Sequence, residues 1–522
     1  MKSRLLFLIV SCFSLTLFGQ NPELVADFNP GPEDGLNCFN FKSIEIGSRL
    51  VFPVVNSDVG EELGVLEDGT LTLLKDINEG PESSRPGNFI YFNDKVYFSA
   101  VDETNGVGIW STDGTAENTQ IEFSYAGDIN TAPRGMIVSE SGWLYYTVNT
   151  ELYRTDGEVS ENIFSGVRFF TESQQQSNNY ATYQEGIAFL VEDNNDFIQL
   201  YAVQGDSVVL LGSSNETSGF ADVFGLSEVS GGLIFGLEDS FEPEITGTYY
   251  YDEQAGSVGK ITISGGGARR LHDFTDEASL AWVGGQGYFM TNGQQGEEQL
   301  LFSSENQASV QGEPIPNGVV NGKMVFVGEE AGFFGDKFVF YTDGTTEGTT
   351  QLFEVNTYLS NVLVYGNFAF IASGVSNLFD PELYYINMTD GSFSNFYNFN
   401  QSSTNPKSVL PLGVQDNKLY YLSNLDNTIG RELYSISLDI DTDVEQLDKT
   451  NFSIRYTPTT YTIETDELIE LVVDLHTTDG RLIRSERVTT NQPYRLPDYR
   501  GIGLLSFILN GERRVDKFFR GE

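Results

Sequence analysis

Two cysteines and two histidines are all that 522 residues hold of either type. Cys12 falls in an apolar leader, so once the leader is removed Cys38 has no partner in the chain and no internal disulfide can form. His272 and His476 with Cys38 are too few for the usual Cys/His zinc site. A Ser/His/Asp arrangement needs a histidine held by a carboxylate. His272 is followed by Asp273, but neighbours on a strand point to opposite faces, so the two are not a ready dyad. His476 lies in the tail and is a weaker candidate still. Basic residues are scarce as well: 29 Lys and Arg stand against 75 Asp and Glu, a net charge of −46. Such a surface repels nucleic acid and anionic membranes. It suits a salty medium, which screens self-repulsion, and it concentrates divalent cations. No apolar run after the leader reaches the roughly 20 residues that span a bilayer. A sustained 3.6-residue apolar period is also missing, which argues against helices.

The leader itself is Met1-Lys2-Ser3-Arg4 followed by the apolar run Leu5 to Phe18. A basic stretch before a short apolar one is the pattern of a signal peptide. We expect residues 1–19 to form it, with cleavage near Gly19-Gln20, although Leu17 is large for the position it would hold. The run is short for a membrane anchor. A lipoprotein reading of Ile9-Val10-Ser11-Cys12 is disfavoured because Phe13 to Phe18 stays apolar.

Aromatics and glycine are what the chain has in plenty: 39 Phe, 26 Tyr and 54 Gly. The aromatics recur. One short strand pattern ends at Phe52, Phe98, Tyr146, Phe189, Phe235, Phe289, Phe326, Phe370 and Tyr421. A second follows each, ending at Gly64, Trp110, Tyr153, Tyr201, Tyr250, Phe302, Phe340, Tyr384 and Tyr434, at steps of 38 to 52 residues. The uneven steps fall around Phe302, where the register is least defined. In "KVYFSAV" Val96, Phe98 and Ala100 share one face, as a strand requires. A period of this length with about four short strands per unit predicts an all-β fold, a β-propeller of eight to nine four-stranded blades over residues 20–440. An open β-solenoid is the rival. A string of sandwiches would need about 100 residues per module.

Several polar stretches invite a chemical reading. "IWSTDGTAENT" sets Asp113 beside Gly114, and Asp68-Gly69, Asp156-Gly157 and Asp343-Gly344 repeat the pair after the strand-ending position. A catalytic residue is not expected once per repeat, so Asp113 reads as a hairpin-turn residue and Trp110 as a core aromatic. Glu192, Asp193, Asn194, Asn195 and Asp196 lack the EF-hand spacing and read as a polar hairpin tip. Ser264 to Arg270 lacks the phosphate-loop pattern and reads as a turn. Paired carboxylates could serve a glycosidase, but so many are present that spacing selects none. The sequence therefore nominates no catalytic, cofactor-binding or metal-ligating residue, with Ca²⁺ kept open because oxygen donors abound.

"GIWSTDGTAENT", "ELYRTDG" (Glu151 to Gly157), "FYTDGTTEGTT" (Phe340 to Thr350) and "LKDINEG" (Leu74 to Gly80) resemble the ELWxxDGT-repeat family, over about Leu50 to Leu438. That resemblance implies a secreted or surface protein and no defined chemistry. The tail, residues 441–522, carries little of the net charge. Asp479-Gly480-Arg481, Gly501 to Ile508 and Lys517-Phe518-Phe519 resemble the type A C-terminal sorting domain of the type IX secretion system of Bacteroidetes. Thr477, Leu505 and "RYTP" (Arg455 to Pro458) stand where that family has Asp, Tyr and Tyr-Pro-Asn-Pro. The resemblance implies a small β-sandwich and a partner in the secretion machinery; an ordinary β-sandwich is the other reading. The expected function is a non-enzymatic binding, adhesion or scaffold module, with glycan or surface protein as partner, outside the cell or on the outer membrane. The alternative is a carboxylate-dependent glycoside hydrolase or polysaccharide lyase.

Overall fold

The computed structural model describes residues 22–36, 43–127, 131–166, 168–169, 179–193, 197–217, 222–229, 232–238, 247–261, 268–275, 278–283, 287–291, 299–302, 319–320, 323–329, 337–342, 348–355, 362–373, 382–398, 409–425, 428–438, 453–456, 460–464, 470–477, 482–490, 492, 494–495, 501–509 and 512–520. Of residues 260–322 it describes almost only backbone. The expected signal peptide, residues 1–19, lies outside the described residues. The chain divides into two compact units, Met1–Leu438 and Asp439–Glu522.

The first unit is all-β, with no α-helix among the described residues. It consists of antiparallel sheets, nearly all four-stranded, whose strands are neighbours in chain order. The first sheet is Ile44–Ile46, Arg49–Asn56, Gly60–Glu67 and Thr70–Lys75; the second is Gly87–Phe92, Lys95–Asp102, Gly106–Thr112 and Gln120–Tyr125. A third (from Arg134), fourth (from Arg168), fifth (from Asp222), sixth (from Ala268), seventh (from Val319) and eighth (from Leu363) follow in turn. The ninth sheet breaks the rule of chain order. Val409–Gln415, Lys418–Ser423 and Glu432–Ser437 take their fourth strand from the other end of the unit, Glu23–Ala26, which pairs antiparallel with Glu432–Ser437.

In every sheet but the sixth the two repeated sequence patterns are two central strands, and their ends lie opposite one another. Phe52 lies opposite Gly64, Phe98 opposite Trp110, Tyr146 opposite Tyr153, Phe189 opposite Tyr201, Phe326 opposite Phe340 and Tyr421 opposite Tyr434. Phe235 and Phe370 are displaced by one and face Tyr249 and Tyr385. Rings paired this way stack: Phe189 and Tyr201 lie 5.7 Å apart at 15°, Tyr146 and Tyr153 5.8 Å apart at 9°. Burying a side chain of this size contributes about 1.5–3 kcal/mol, and the ring contact adds about 0.5–1.5 kcal/mol.

Alternation then joins sheet to sheet, because successive side chains leave opposite faces. Val96, Phe98 and Ala100 pack with Val51 and Val65 of the first sheet, while Tyr97 and Ile109 turn to Leu144 and Tyr146 of the third. Leu50, Phe52 and Leu66 face the other way, onto Leu412, Tyr420 and Leu422 of the ninth. Tyr145 with Phe189, Leu190 with Phe235, and Val339 with Ile371 continue the pattern between third and fourth, fourth and fifth, and seventh and eighth sheets. A β-bulge recurs where the third strand meets the fourth, at Leu63/Gly64, Ile109/Trp110, Leu152/Tyr153, Leu200/Tyr201, Val339/Phe340 and Leu383/Tyr384. Bulges sharpen the twist of an edge strand and make it a poorer template for another chain.

Two expectations need correcting. The fourth sheet has five described strands rather than four, because Arg168–Phe169 and Tyr180–Tyr183 both pair with Gly186–Glu192. In the sixth sheet Phe289 and Phe302 sit on the third and fourth strands, since Ala268–Thr275 and Ala278–Val283 precede them. This is the place where the repeat spacing is uneven.

The second unit holds two antiparallel sheets. One is Ser453–Tyr456, Thr460–Glu464 and Tyr494–Arg495; the other runs Leu482–Thr489, Glu470–Thr477, Gly501–Leu509 and Glu512–Arg520. The Asp479-Gly480-Arg481 turn lies outside the described residues.

Candidate functional site

Asp113 spends its carboxylate on its own loop. Oδ1 accepts the Thr115 N–H at 2.9 Å and the Thr115 hydroxyl at 2.6 Å, and Oδ2 accepts the Asn118 amide at 2.6 Å. Thr112 Oγ1 accepts the Gly114 N–H at 3.0 Å and lies 2.7 Å from the Thr119 hydroxyl, a pair repeated at Thr342 and Thr349. These bonds, the Thr115 hydroxyl first, hold the Asp113 carboxyl below its ordinary range. The loop is longer than the tight hairpin expected, running from Asp113 to Thr119 between strands. Among the described Asp-Gly pairs of the repeat only Asp68-Gly69 makes a two-residue turn, with φ of +50° and +73°. Asp156 accepts N–H groups of Glu158 and Val159, and Asp343-Gly344 lies outside the described residues.

The other end of the sheets carries the more unusual chemistry. There two described linkers, each leaving a fourth strand, meet the hairpin between the second and third strands of the next sheet. Two linkers share a pattern, Asp27-Phe28-Asn29-Pro30-Gly31-Pro32 and Asp76-Ile77-Asn78-Glu79-Gly80-Pro81. The buried Asn29 accepts the Ser57 N–H at 3.0 Å; the buried Asn78 accepts the Glu103 N–H at 3.0 Å. Each asparagine thus pins its linker to the next hairpin.

Beneath each linker lies a fully buried glutamate, Glu62 under the second and Glu432 under the first, both 0% exposed. Glu62 is well served. Its Oε2 accepts the Ile77 N–H at 2.7 Å and the Ser84 hydroxyl at 2.6 Å, and its Oε1 accepts the Ser84 N–H at 2.8 Å. Glu432 is not. Its Oε2 accepts the Phe28 N–H at 2.8 Å, while Oε1 has no hydrogen-bond partner among the described residues. The Ser84 position is occupied by Gly35, which brings no hydroxyl; the backbone N–H groups are placed alike, Gly35 reaching the Arg431 carbonyl at 3.0 Å and Ser84 the Glu61 carbonyl at 3.1 Å. A Cβ at Gly35 would run into Glu432 Oε2, so the carboxylate stands where that side chain would begin. Burial raises both carboxyls. For Glu432 the rise is to about 7, with the Asp27 charge adding to it and the backbone N–H groups of Phe28, Gly35 and Asn29 opposing it. Neither reaches solvent, whereas a glycosidase acid must touch the bond it protonates. Glu62 and Glu432 are therefore not such a pair.

Sequence reasoning missed both residues, since "EEL" and "REL" look like ordinary strand starts. The signal available was the doubled Asp-x-Asn-x-Gly-Pro linker.

The stretches singled out by sequence do not converge. Asp193 accepts the Phe197 N–H at 3.0 Å and the Gln199 amide at 2.8 Å, closing its own hairpin; Asn194 to Asp196 lie outside the described residues. His272 and His476 lie on strands whose side chains at these positions are outside the described residues, as is the whole Gly265 to Gly267 turn. Among the described residues no three of His, Cys, Asp or Glu gather as a metal set. Arg154 is a pin between the third and fourth sheets. It lies over the Trp143 ring at 4.4 Å and reaches Glu161 at 2.5 Å, Asp206 at 2.7 Å and the Gly205 carbonyl at 2.8 Å.

No family model and no curated protein matches the chain. It is similar to solved structures at low identity. The computationally designed Ika8 protein is 12% identical, covering 77% of this chain and 97% of that one, with a TM-score of 0.38. PorZ, a surface component of the type IX secretion system of Porphyromonas gingivalis, is 10% identical over 92% and 81%, with a TM-score of 0.25. BamB from Moraxella catarrhalis is 12% identical over 68% and 94%, with a TM-score of 0.36. Likeness this loose carries no argument about the activity of this chain.

Proposed function

We propose that the nine sheets of the first unit are blades of one closed β-propeller, and that it works outside the cell as a non-enzymatic binding, adhesion or scaffold module. The observation that carries this reading is the pairing of Glu23–Ala26 with Glu432–Ser437, which joins the first strand of the unit to its last sheet. An open solenoid would leave both end sheets to solvent. Here the core of the first sheet continues into the ninth through Phe52 and Tyr420.

The contact surface on this reading is the end formed by the linkers and hairpins, where loops sit on a rigid frame. Glu33, Asp58, Glu79, Glu82, Asp102 and Glu103 make that end acidic, so its partners are glycans bound through hydroxyls or proteins with a basic face. The leader and the tail are read as export signals, the tail engaging type IX secretion machinery and delivering the chain to the extracellular space or outer-membrane surface.

Two experiments test this. Glycan arrays and pull-downs with the full mature chain should return a ligand, while polysaccharide incubations show no turnover. Measurable cleavage with no captured ligand overturns the binding reading in favour of a hydrolase or lyase. Removing residues 441–522 should leave the protein in the periplasm, and unchanged surface display overturns the sorting role.

A further inference from the structure

The two linker sites form an internal comparison, because one is satisfied and the other is not. In the first sheet, Glu62 is flanked across the strand by Val54 and receives the Ser84 hydroxyl. In the ninth, the corresponding place in the repeat carries three unpartnered buried oxygens, on a cross-strand pair and on the linker bonded to it. Glu432 Oε1, Asp27 Oδ1 and Ser423 Oγ are each buried with no hydrogen-bond partner among the described residues. Ser423 is itself 0% exposed and is the cross-strand partner of Glu432, so both side chains leave the same face of the sheet. Asp27 opens the linker over that face, and its charge acts on Glu432. Among the described residues Arg431, next to Glu432 in the chain, is engaged by Asp34 through its backbone N–H at 2.7 Å and its Nε at 2.9 Å.

Leaving one buried polar atom unsatisfied costs about 1–3 kcal/mol, and two carboxylates held together out of water repel. A hard cation removes both penalties at once.

We propose that Glu432, Asp27 and Ser423 form a Ca²⁺ site beneath the linker of residues 27–35. The donors are oxygens only, which excludes the soft-donor chemistry of zinc or copper sites. Two carboxylates and a hydroxyl contributed by a strand pair and a loop give the irregular shell that Ca²⁺ accepts and that Mg²⁺, with its strict octahedron and tightly held waters, does not. Bound there, the ion ties the first strand of the unit to its last sheet. The site reproduces the linker–glutamate contact of the first sheet, with Ca²⁺ in the part that Ser84 plays beside Glu62. The proposal stands on the local geometry and does not depend on what the loop end binds.

The test uses the full mature chain stripped with EDTA, at fixed ionic strength, with CaCl₂ alone as the probe. Calorimetric titration and melting curves should show a saturable site in the wild type. Ser423→Val, which installs the residue found at Val54, and Glu432→Gln should each weaken Ca²⁺ at least tenfold and abolish the melting shift. The acidic surface is unchanged in both, so diffuse Ca²⁺ binding predicts shifts equal to the wild type, and that result overturns the proposal. So does a shift produced equally by MgCl₂. Circular dichroism checks that each variant is folded, and Ser423→Ala replaces Ser423→Val if the latter is not, with the same expected loss.

Discussion

Replacing Glu432 by glutamine should change how stability depends on pH, and the size of the change can be worked out in advance. Burial, with the Asp27 charge beside it, lifts the Glu432 carboxyl from 4.5 to about 7 in the folded chain. The folded state therefore holds its proton more tightly than the unfolded state. That contribution is fully present below the unfolded value and is lost as pH rises through the folded one. Each pH unit across the interval is worth 1.36 kcal/mol, which gives a loss of about 3 kcal/mol from acid to neutral pH. With an unfolding entropy of about 2 cal/mol/K per residue, a unit the size of Met1–Leu438 translates this into about 4 °C. Glutamine is the neutral isostere and has no proton to lose. In EDTA, Glu432→Gln should melt with the wild type at pH 4 and about 4 °C above it at pH 8. Differential scanning calorimetry of both proteins across this range is the assay. Carboxylates that do not act on Glu432 are alike in both proteins and cancel in the difference. A gap that stays constant from pH 4 to pH 8 would refute the reasoning.

Gly64→Trp, which completes the aromatic frame of the repeat, should destabilise by about 1–3 kcal/mol in urea titration, because a Cβ at Gly64 runs into Val54 Cγ1. A rise in stability would show that the frame dictates the packing and not the reverse. Arg154→Lys should cost about 1–2 kcal/mol, measured the same way: it loses the planar contacts to Trp143 and Gly205, while Glu161 and Asp206 are exposed enough to be screened. Asp113→Ala should cost about 1 kcal/mol and speed proteolysis between Asp113 and Thr119, while Asp113→Asn keeps most of the loop bonds and stays near the wild type.

The frame was legible in the sequence because aromatics at matched positions are what sheet stacking selects. Phe98 and Trp110 announce themselves by type and spacing, and the structure puts them face to face. Asp113 was legible as a turn residue for the same reason, recurrence, although loop length was not, since the pair Asp-Gly opens turns of several sizes. Glu62 and Glu432 were not legible. Nothing in a glutamate at the head of a strand says that a linker from another part of the repeat will fold over it. Ser84 and Gly35 differ by one hydroxymethyl group, and that difference gives Glu62 a hydroxyl donor that Glu432 does not have. The sixth sheet defeated the pattern because its aromatics stand one strand later in the sheet, and spacing alone does not say which strand of a sheet a pattern falls on.

The pairing of Glu23–Ala26 with Glu432–Ser437 sets the timing of folding. Glu23–Ala26 has no strand partner until Glu432–Ser437, about 400 residues later in the chain, has been made. A chain cut short anywhere before Ser437 keeps an unmatched strand at each end, which invites proteases and other chains alike. The fold thus discriminates between finished and unfinished copies of itself by a few backbone hydrogen bonds, without any separate inspection step.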